Sequence, residues 1–150
     1  MFIKGNITAL LREELRKRPT GVVFIGSITD PYQPCEKRFR LTEKCLRLLY
    51  ERSWPVEVGT KSDLILRDVE LLSAISNRAS CSVFITITTL DKRLACVFEP
   101  KAPGPRRRLE VVEALSESGL EVCVCMIPVF PGLTDSREAM WEVAEAAKQH

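Results

Sequence analysis

Val22-Val23-Phe24-Ile25-Gly26-Ser27-Ile28-Thr29-Asp30-Pro31 is an apolar run that stops abruptly in polar, turn-forming residues. The pattern recurs at Val56–Val58 into Gly59-Thr60-Lys61-Ser62, and at Val83–Ile85 into Thr86-Ile87-Thr88-Thr89-Leu90-Asp91. A further run, Val122–Ile127, ends in Pro128-Val129-Phe130-Pro131-Gly132. Helix-length segments separate the runs, so the chain reads as repeated βα units, an α/β fold with about four parallel strands. In such folds ligands bind at the carboxyl ends of the strands, where loops vary without disturbing the sheet. Four polar strand ends on one rim predict a site there.

Alternation along the second run sends Val56, Val58 and Thr60 to one face and Glu57, Gly59 and Lys61 to the other. In the third, Val83, Ile85 and Ile87 oppose Phe84, Thr86 and Thr88. The aliphatic face suits covering helices. The mixed face suits a barrel interior or a ligand cleft, so the expected sheet is curved, all or part of a (βα) barrel. Helices are expected from Asn6, as N-cap, to Lys17, from Thr42 to Arg52, from Asp68 to Arg78 and from Leu90 to Val97. Two more are expected from Arg106 to Ser118, closed by Gly119, and from Asp135, as N-cap, to Lys148. Their apolar sides are Leu10, Leu11 and Leu15, then Leu41, Cys45, Leu48 and Leu49, then Val69, Leu71, Leu72 and Ile75. No linker divides the chain, and residues 1–150 read as a single domain.

A chain of 150 residues with 45% hydrophobic content is long enough to bury a core. Its net charge of +2 is too small to argue nucleic-acid binding by itself, and Arg106-Arg107-Arg108 reads as a solvated helix face. No apolar stretch approaches the roughly 20 residues that cross a bilayer. Met1 to Lys17 is amphipathic and charged without a signal-peptide core, so a cytoplasmic protein is expected. Six cysteines stand at positions 35, 45, 81, 96, 123 and 125 with no CxxC or CxxxCxxC spacing, and the one histidine is His150. Neither a disulfide framework nor a metal centre is expected from them. Cys123 and Cys125 share a strand face and, with Cys81 and Cys96, read as small packed residues; Cys35 reads as partly exposed.

Lys61 has three readings: an anion-binding point charge, a Schiff-base lysine in a barrel mouth, or a lysine snorkelling from the rim. Ser62 and the backbone donors beside it favour the first. Thr86, Thr88 and Asp91 offer the mixed donors and acceptors that ribose and amino-acid groups need. Strand propensity and helix capping explain the same residues without a ligand. Asp30 before Pro31 is a common turn former, and Glu99 with Arg108 could bridge the third loop to its helix. A single terminal histidine excludes a serine–histidine–acid arrangement, and no GxxxxGK[ST] or GxGxxG phosphate loop occurs.

Taken in order, these loops resemble the radical S-adenosylmethionine (radical SAM) enzymes, in the subgroup similar to spore photoproduct lyase and often labelled DNA repair photolyase. The matching segments are Gly26 to Pro34 with Glu36 and Leu41-Thr42, Pro55-Val56 through Thr60-Lys61-Ser62 to Asp68, and Thr86 to Asp91. Glu99-Pro100-Lys101-Ala102-Pro103 with Arg108-Leu109, and Pro128 to Asp135, complete the set. The resemblance spans residues 2–145 and rests on five motifs in the family's order.

The resemblance implies a partial (βα)6 barrel. In the family a CxxxCxxC loop after the first strand holds three irons of a four-iron–four-sulfur cluster, and S-adenosylmethionine chelates the fourth. Cleavage of that molecule yields the 5′-deoxyadenosyl radical. This chain lacks the CxxxCxxC motif, and the expectation is a barrel without its first strand and cluster loop, inactive in redox chemistry alone. By resemblance, Ser27, Thr29 and Asp30 lie near the methionine amino end. Lys61 and Ser62 face its carboxylate or the ribose, with Thr86 and Thr88 beside them, and Ile127 runs past the adenine. Rival readings are a non-catalytic α/β remnant or interaction module, and a Lys61-dependent aldolase-like lyase. The open strand edge implies a homo-oligomer, or a partner that supplies the cluster segment. Nucleic acid enters as a partner by resemblance only.

Overall fold

Parallel strands cannot be joined by a hairpin, and the three crossovers of this chain are each made by helix-forming sequence. The computed structural model describes residues 3–150, so Met1 and Phe2 of the amphipathic N-terminal stretch lie outside the described residues. Helix α1 (Ile7–Lys17) precedes β1 (Val23–Ile25); α2 (Glu36–Phe39) and α3 (Leu41–Glu51) lead to β2 (Val56–Thr60). A 3-10 segment (Asp63–Asp68) and α4 (Val69–Arg78) lead to β3 (Cys81–Thr86). Helices α5 (Lys92–Phe98) and α6 (Pro105–Glu117) lead to β4 (Glu121–Cys125), and α7 (Arg137–Gln149) follows.

The four strands form one parallel sheet in the order β1-β2-β3-β4. That order never reverses. Crossovers of this type are right-handed, so an unreversed order puts every crossover helix on the same face. The burial agrees: Val56, Val58, Val83 and Ile85 are sealed against Leu46, Leu49, Leu72, Ile75 and Leu115, while Glu57, Gly59, Phe84 and Thr86 are only half covered. The register sets Phe24, Glu57, Ser82 and Glu121 in one row of the uncovered face, with Gly59, Phe84 and Cys123 in the next row. This is the partial barrel-like α/β fold that the alternation predicts.

Local chemistry explains the helix ends, including those that differ from the sequence reading. At the end of α6, Gly119 (φ 76°) donates to Ser116 O at 2.9 Å and Leu120 N to Leu115 O at 3.3 Å. These two bonds satisfy carbonyls the helix cannot, as a left-handed cap does. The N-cap of α7 is Ser136, whose hydroxyl accepts from Ala139 N at 3.1 Å; Asp135 instead takes Gly132 N at 2.8 Å, closing the preceding turn. Asn6 stands at the N-cap of α1 without a side-chain bond. Leu46 is fully buried, whereas Leu41, at the first position of α3, is half covered. Cys96 is exposed on the outer side of α5 rather than packed, and Cys123 and Cys125 are half covered on the open face. The run Arg106–Arg108 divides, because its third residue turns inward and is 3% exposed.

Candidate functional site

An aspartate before proline forms turns, and the bonds of Asp30 make this turn a staple between two loops. Its Oδ1 accepts from Tyr32 N at 2.8 Å and from Thr60 Oγ1 at 2.7 Å, and its Oδ2 accepts from Lys61 N at 2.8 Å. Thr60 Oγ1 then accepts from Ser62 N at 3.0 Å. The loop after β1 is thereby pinned to the end of β2. Gly26 permits the approach: at φ 117°, a Cβ there would lie 2.3 Å from Gly59 O.

A second chain of contacts starts at Lys61. Its Nζ lies 3.1 Å from Glu99 Oε1, and Glu99 Oε2 accepts from Arg108 Nη2 at 2.5 Å. Arg108 also donates to Thr86 O at 2.8 Å and to Pro103 O at 2.7 Å. The planar guanidinium suits three differently directed acceptors. Through it the ends of β2 and β3 and the loop after α5 share one network. Lys61 faces a carboxylate, whereas a Schiff-base lysine needs an apolar or cationic setting. Asp91 caps α5, accepting from Arg93 N at 2.7 Å and Leu94 N at 3.3 Å.

Beside the staple lies a buried group whose roles did not follow from spacing. Glu36 caps α3, its carboxylate accepting from Leu41 N at 2.8 Å and Thr42 N at 3.1 Å. Arg67 ties Glu36 Oε1, at 3.1 Å, to Asp68 Oδ2, at 2.7 Å, and its guanidinium stands 5.9 Å from the centroid of the Tyr32 ring. The Tyr32 hydroxyl is buried and has no hydrogen-bond partner among the described residues. Burial first, then the nearby Asp68 charge, pushes the phenol well above its ordinary range, so it stays protonated. In the sequence Tyr32, Glu36, Arg67 and Asp68 stand out only as parts of the segments that carry the family resemblance, with Asp68 also the expected start of a helix.

These segments enclose a cleft of about 680 Å³ lined in part by Asp30, Tyr32, Lys37, Lys61, Ser62 and Lys101. Of the expected site residues, it gathers Asp30, Lys61 and Ser62. Ser27 and Thr29 line a separate hollow of about 470 Å³ beside β1, together with Asp30. Thr86 and Thr88 border neither: Thr86 reaches the network through its carbonyl and Thr88 is buried. Ile127 is 66% exposed next to the cis peptide at Pro128. Among the thiols, burial followed by the Glu36 charge pushes Cys45 up to about 11, and burial pushes Cys81 up to about 12. Among the described residues no three histidine, cysteine, aspartate or glutamate side chains gather to hold a metal.

Comparison with known proteins agrees with the fold. An uncharacterized protein of Mycobacterium tuberculosis is 35% identical over 141 residues, 92% of this chain and 41% of its own length. An uncharacterized protein of Methanocaldococcus jannaschii is 32% identical over 135 residues, 90% of this chain and 49% of its own length. The chain thus spans less than half of the curated relatives it matches. Spore photoproduct lyase complexed with dinucleoside spore photoproduct superposes with a TM-score of 0.69 at 15% identity, over 97% of this chain and 43% of the lyase. Streptococcus suis SuiB bound to S-adenosylmethionine superposes with a TM-score of 0.66 at 16% identity, over 96% of this chain and 30% of SuiB. At these identities the two structures show a shared fold. The family model of the radical SAM superfamily matches residues 5–146, and the chain belongs to that superfamily.

Proposed function

We propose that this rim is the S-adenosylmethionine-holding portion of a radical SAM protein of the spore photoproduct lyase-like subgroup. The observation that carries the reading is the Lys61–Glu99–Arg108–Thr86 network, which holds an ammonium group, its side chain 33% exposed, where the loops after β1, β2 and β3 meet. The cleft volume of about 680 Å³ lies in the range of roughly 300–1,000 Å³ that small-molecule sites occupy. In this family, bound S-adenosylmethionine supplies the 5′-deoxyadenosyl radical. Lys61 offers its carboxylate a charge-assisted hydrogen bond, and Glu99 keeps the ammonium in place beforehand. Ser62 Oγ accepts from Leu64 N at 3.3 Å, so its proton remains available to a ligand oxygen. Asp30 positions both residues through its staple.

The four-iron–four-sulfur cluster of the family does not fit the thiols of this chain. A cluster takes three or four thiolates at one centre. Here Cys45 and Cys81 are buried with their thiolates disfavoured, Cys96 is exposed on α5, and only Cys123 and Cys125 share a face. The reading therefore concerns binding by this chain, and radical formation belongs to an assembly that brings the cluster.

Calorimetric titration with S-adenosylmethionine tests it. A charge-assisted bond contributes about 1.5–3 kcal/mol, so Lys61→Ala should weaken binding about tenfold or more. An unchanged dissociation constant would remove Lys61 from the site. Absence of any binding by the wild-type chain would favour the interaction-module reading.

A further inference from the structure

Strand β4 is held straight along its pairing with β3, Phe84 opposite Cys123 and Thr86 opposite Cys125. Ile87 N extends the ladder by donating to Cys125 O at 2.9 Å. Alternation then sends both cysteine side chains out of the same face, one directly after the other along the strand. That face is the one away from the crossover helices, and both thiols are free and half covered on it. They lie close enough to sense each other: burial first, then the Cys123 charge, pushes the Cys125 thiol up. The other four thiols stand apart from this pair. Cys45 and Cys81 are buried, Cys96 is exposed on α5, and Cys35 lines the hollow beside β1.

Spacing decides what the pair can do. A rise of about 3.3 Å per residue puts the two Cα atoms about 6.6 Å apart with their Cβ atoms parallel. A disulfide needs Cβ atoms about 3.5–4.5 Å apart, so the pair cannot close on itself without bending the ladder. Two metal–thiolate bonds in line, each about 2.3 Å, span about 4.6 Å. The two Cβ–Sγ bonds reach that separation by leaning toward each other. Thiolates select soft ions, whereas hard cations take oxygen ligands. In the row of Cys123 stand Gly59 and the Phe84 ring, and on the same face of β4 the Glu121 carboxylate already takes the Ser82 hydroxyl. No third histidine, cysteine, aspartate or glutamate joins the pair among the described residues, so a tetrahedral zinc site is not built. We infer that Cys123 and Cys125 form a two-coordinate site for a soft monovalent cation of the copper(I) and silver(I) class. Binding replaces two S–H bonds with two metal–sulfur bonds and releases two protons to solvent, with no change of oxidation state. The site goes beyond S-adenosylmethionine binding and does not rest on it.

Silver(I) is the probe, because it requires no reductant. The wild-type chain and a Cys35→Ser/Cys96→Ser chain, which lacks the two other accessible thiols, are loaded with silver and dialysed against excess glutathione. Native mass spectrometry should find one silver ion retained by each. Adding Cys123→Ser or Cys125→Ser to the second chain should weaken retention about a hundredfold or more, because the second thiolate no longer binds intramolecularly. Calorimetry in buffers of different ionisation enthalpy should count two protons released per ion with the pair intact and one in either variant. Melting curves check that the serine variants fold, and Cys123→Ala and Cys125→Ala replace any that does not. Loss of silver to glutathione from the chains with the pair intact, or equally firm retention by either variant, overturns the site.

Discussion

Arg107 and Arg108 are adjacent on α6, about 100° apart around the helix axis. The first reaches Asp63 and Glu110, both at 3.0 Å, in solvent. The second, 3% exposed, holds Thr86 O, Pro103 O and Glu99. Breaking a buried ion pair by removing one partner costs about 3–5 kcal/mol, because the other charge stays behind unpaired. That is a large part of the roughly 5–15 kcal/mol that a domain of this size has. Arg108→Ala should therefore shift the urea midpoint strongly, Arg108→Lys should not restore it because a compact ammonium cannot span the separated acceptors that three guanidinium nitrogens reach, and Arg107→Ala should leave it unmoved. Equal midpoints for the two alanine variants would show that the buried network is not stabilising.

At the scale of the element, two glycines with positive φ separate backbone strain from close approach. A Cβ at Gly119 would meet nothing within 4 Å, so Gly119→Ala costs only the left-handed backbone at the end of α6. That is about 1–2 kcal/mol. At Gly26 the same Cβ would sit 2.3 Å from Gly59 O, so the loop after β1 must also move away from β2. Gly26→Ala should be the more destabilising of the two in thermal melts. On the proposed reading of the rim it should also weaken S-adenosylmethionine binding, because the moved loop carries Asp30 and with it the anchoring of Lys61. Loss of stability at Gly26 no larger than at Gly119 would argue against the close approach.

For the whole molecule, the unreversed strand order makes β1 and β4 the edges of the sheet and leaves one sheet face only half covered among the described residues. Val23 N donates to Pro55 O at 3.0 Å, so the alternation of a parallel ladder turns Phe24 N–H and C=O toward the open side of β1. Neither charge nor proline lies between Gly21 and Gly26 to block pairing there. Phe24 is 45% exposed, and the hollow beside the edge is lined by Ile7, Leu11 and Leu49. We predict that this edge pairs with another chain, as a homo-oligomer or with a partner bearing the cluster segment. Light scattering should show assembly, with the Phe24 amide protected from hydrogen exchange in it. A monomer at high concentration with a fast-exchanging Phe24 amide would count against that.

The βα rhythm and the two faces of each strand follow from the local pattern. Alternation at Val56–Lys61 and Val83–Thr88 is set by backbone geometry that each residue obeys wherever the chain goes. Asp91 as a cap and Gly119 as a helix stop are local in the same sense. The Asp30–Lys61 staple joins residues 31 apart, and Arg108 meets Thr86 across 22. Such contacts exist only once the sheet register has brought the strand ends together. Spacing put Cys96 in the core and offered Arg108 both a solvated run and a bridge to Glu99; the structure has the bridge and exposes Cys96, because which side of a helix is buried depends on where that helix lands. Whether a charged group is spent within the fold or left for a ligand is decided by its three-dimensional neighbours. Arg108 is spent on Glu99, Thr86 and Pro103, whereas Lys61, held by Glu99, keeps its side chain one-third exposed in the lining of the cleft.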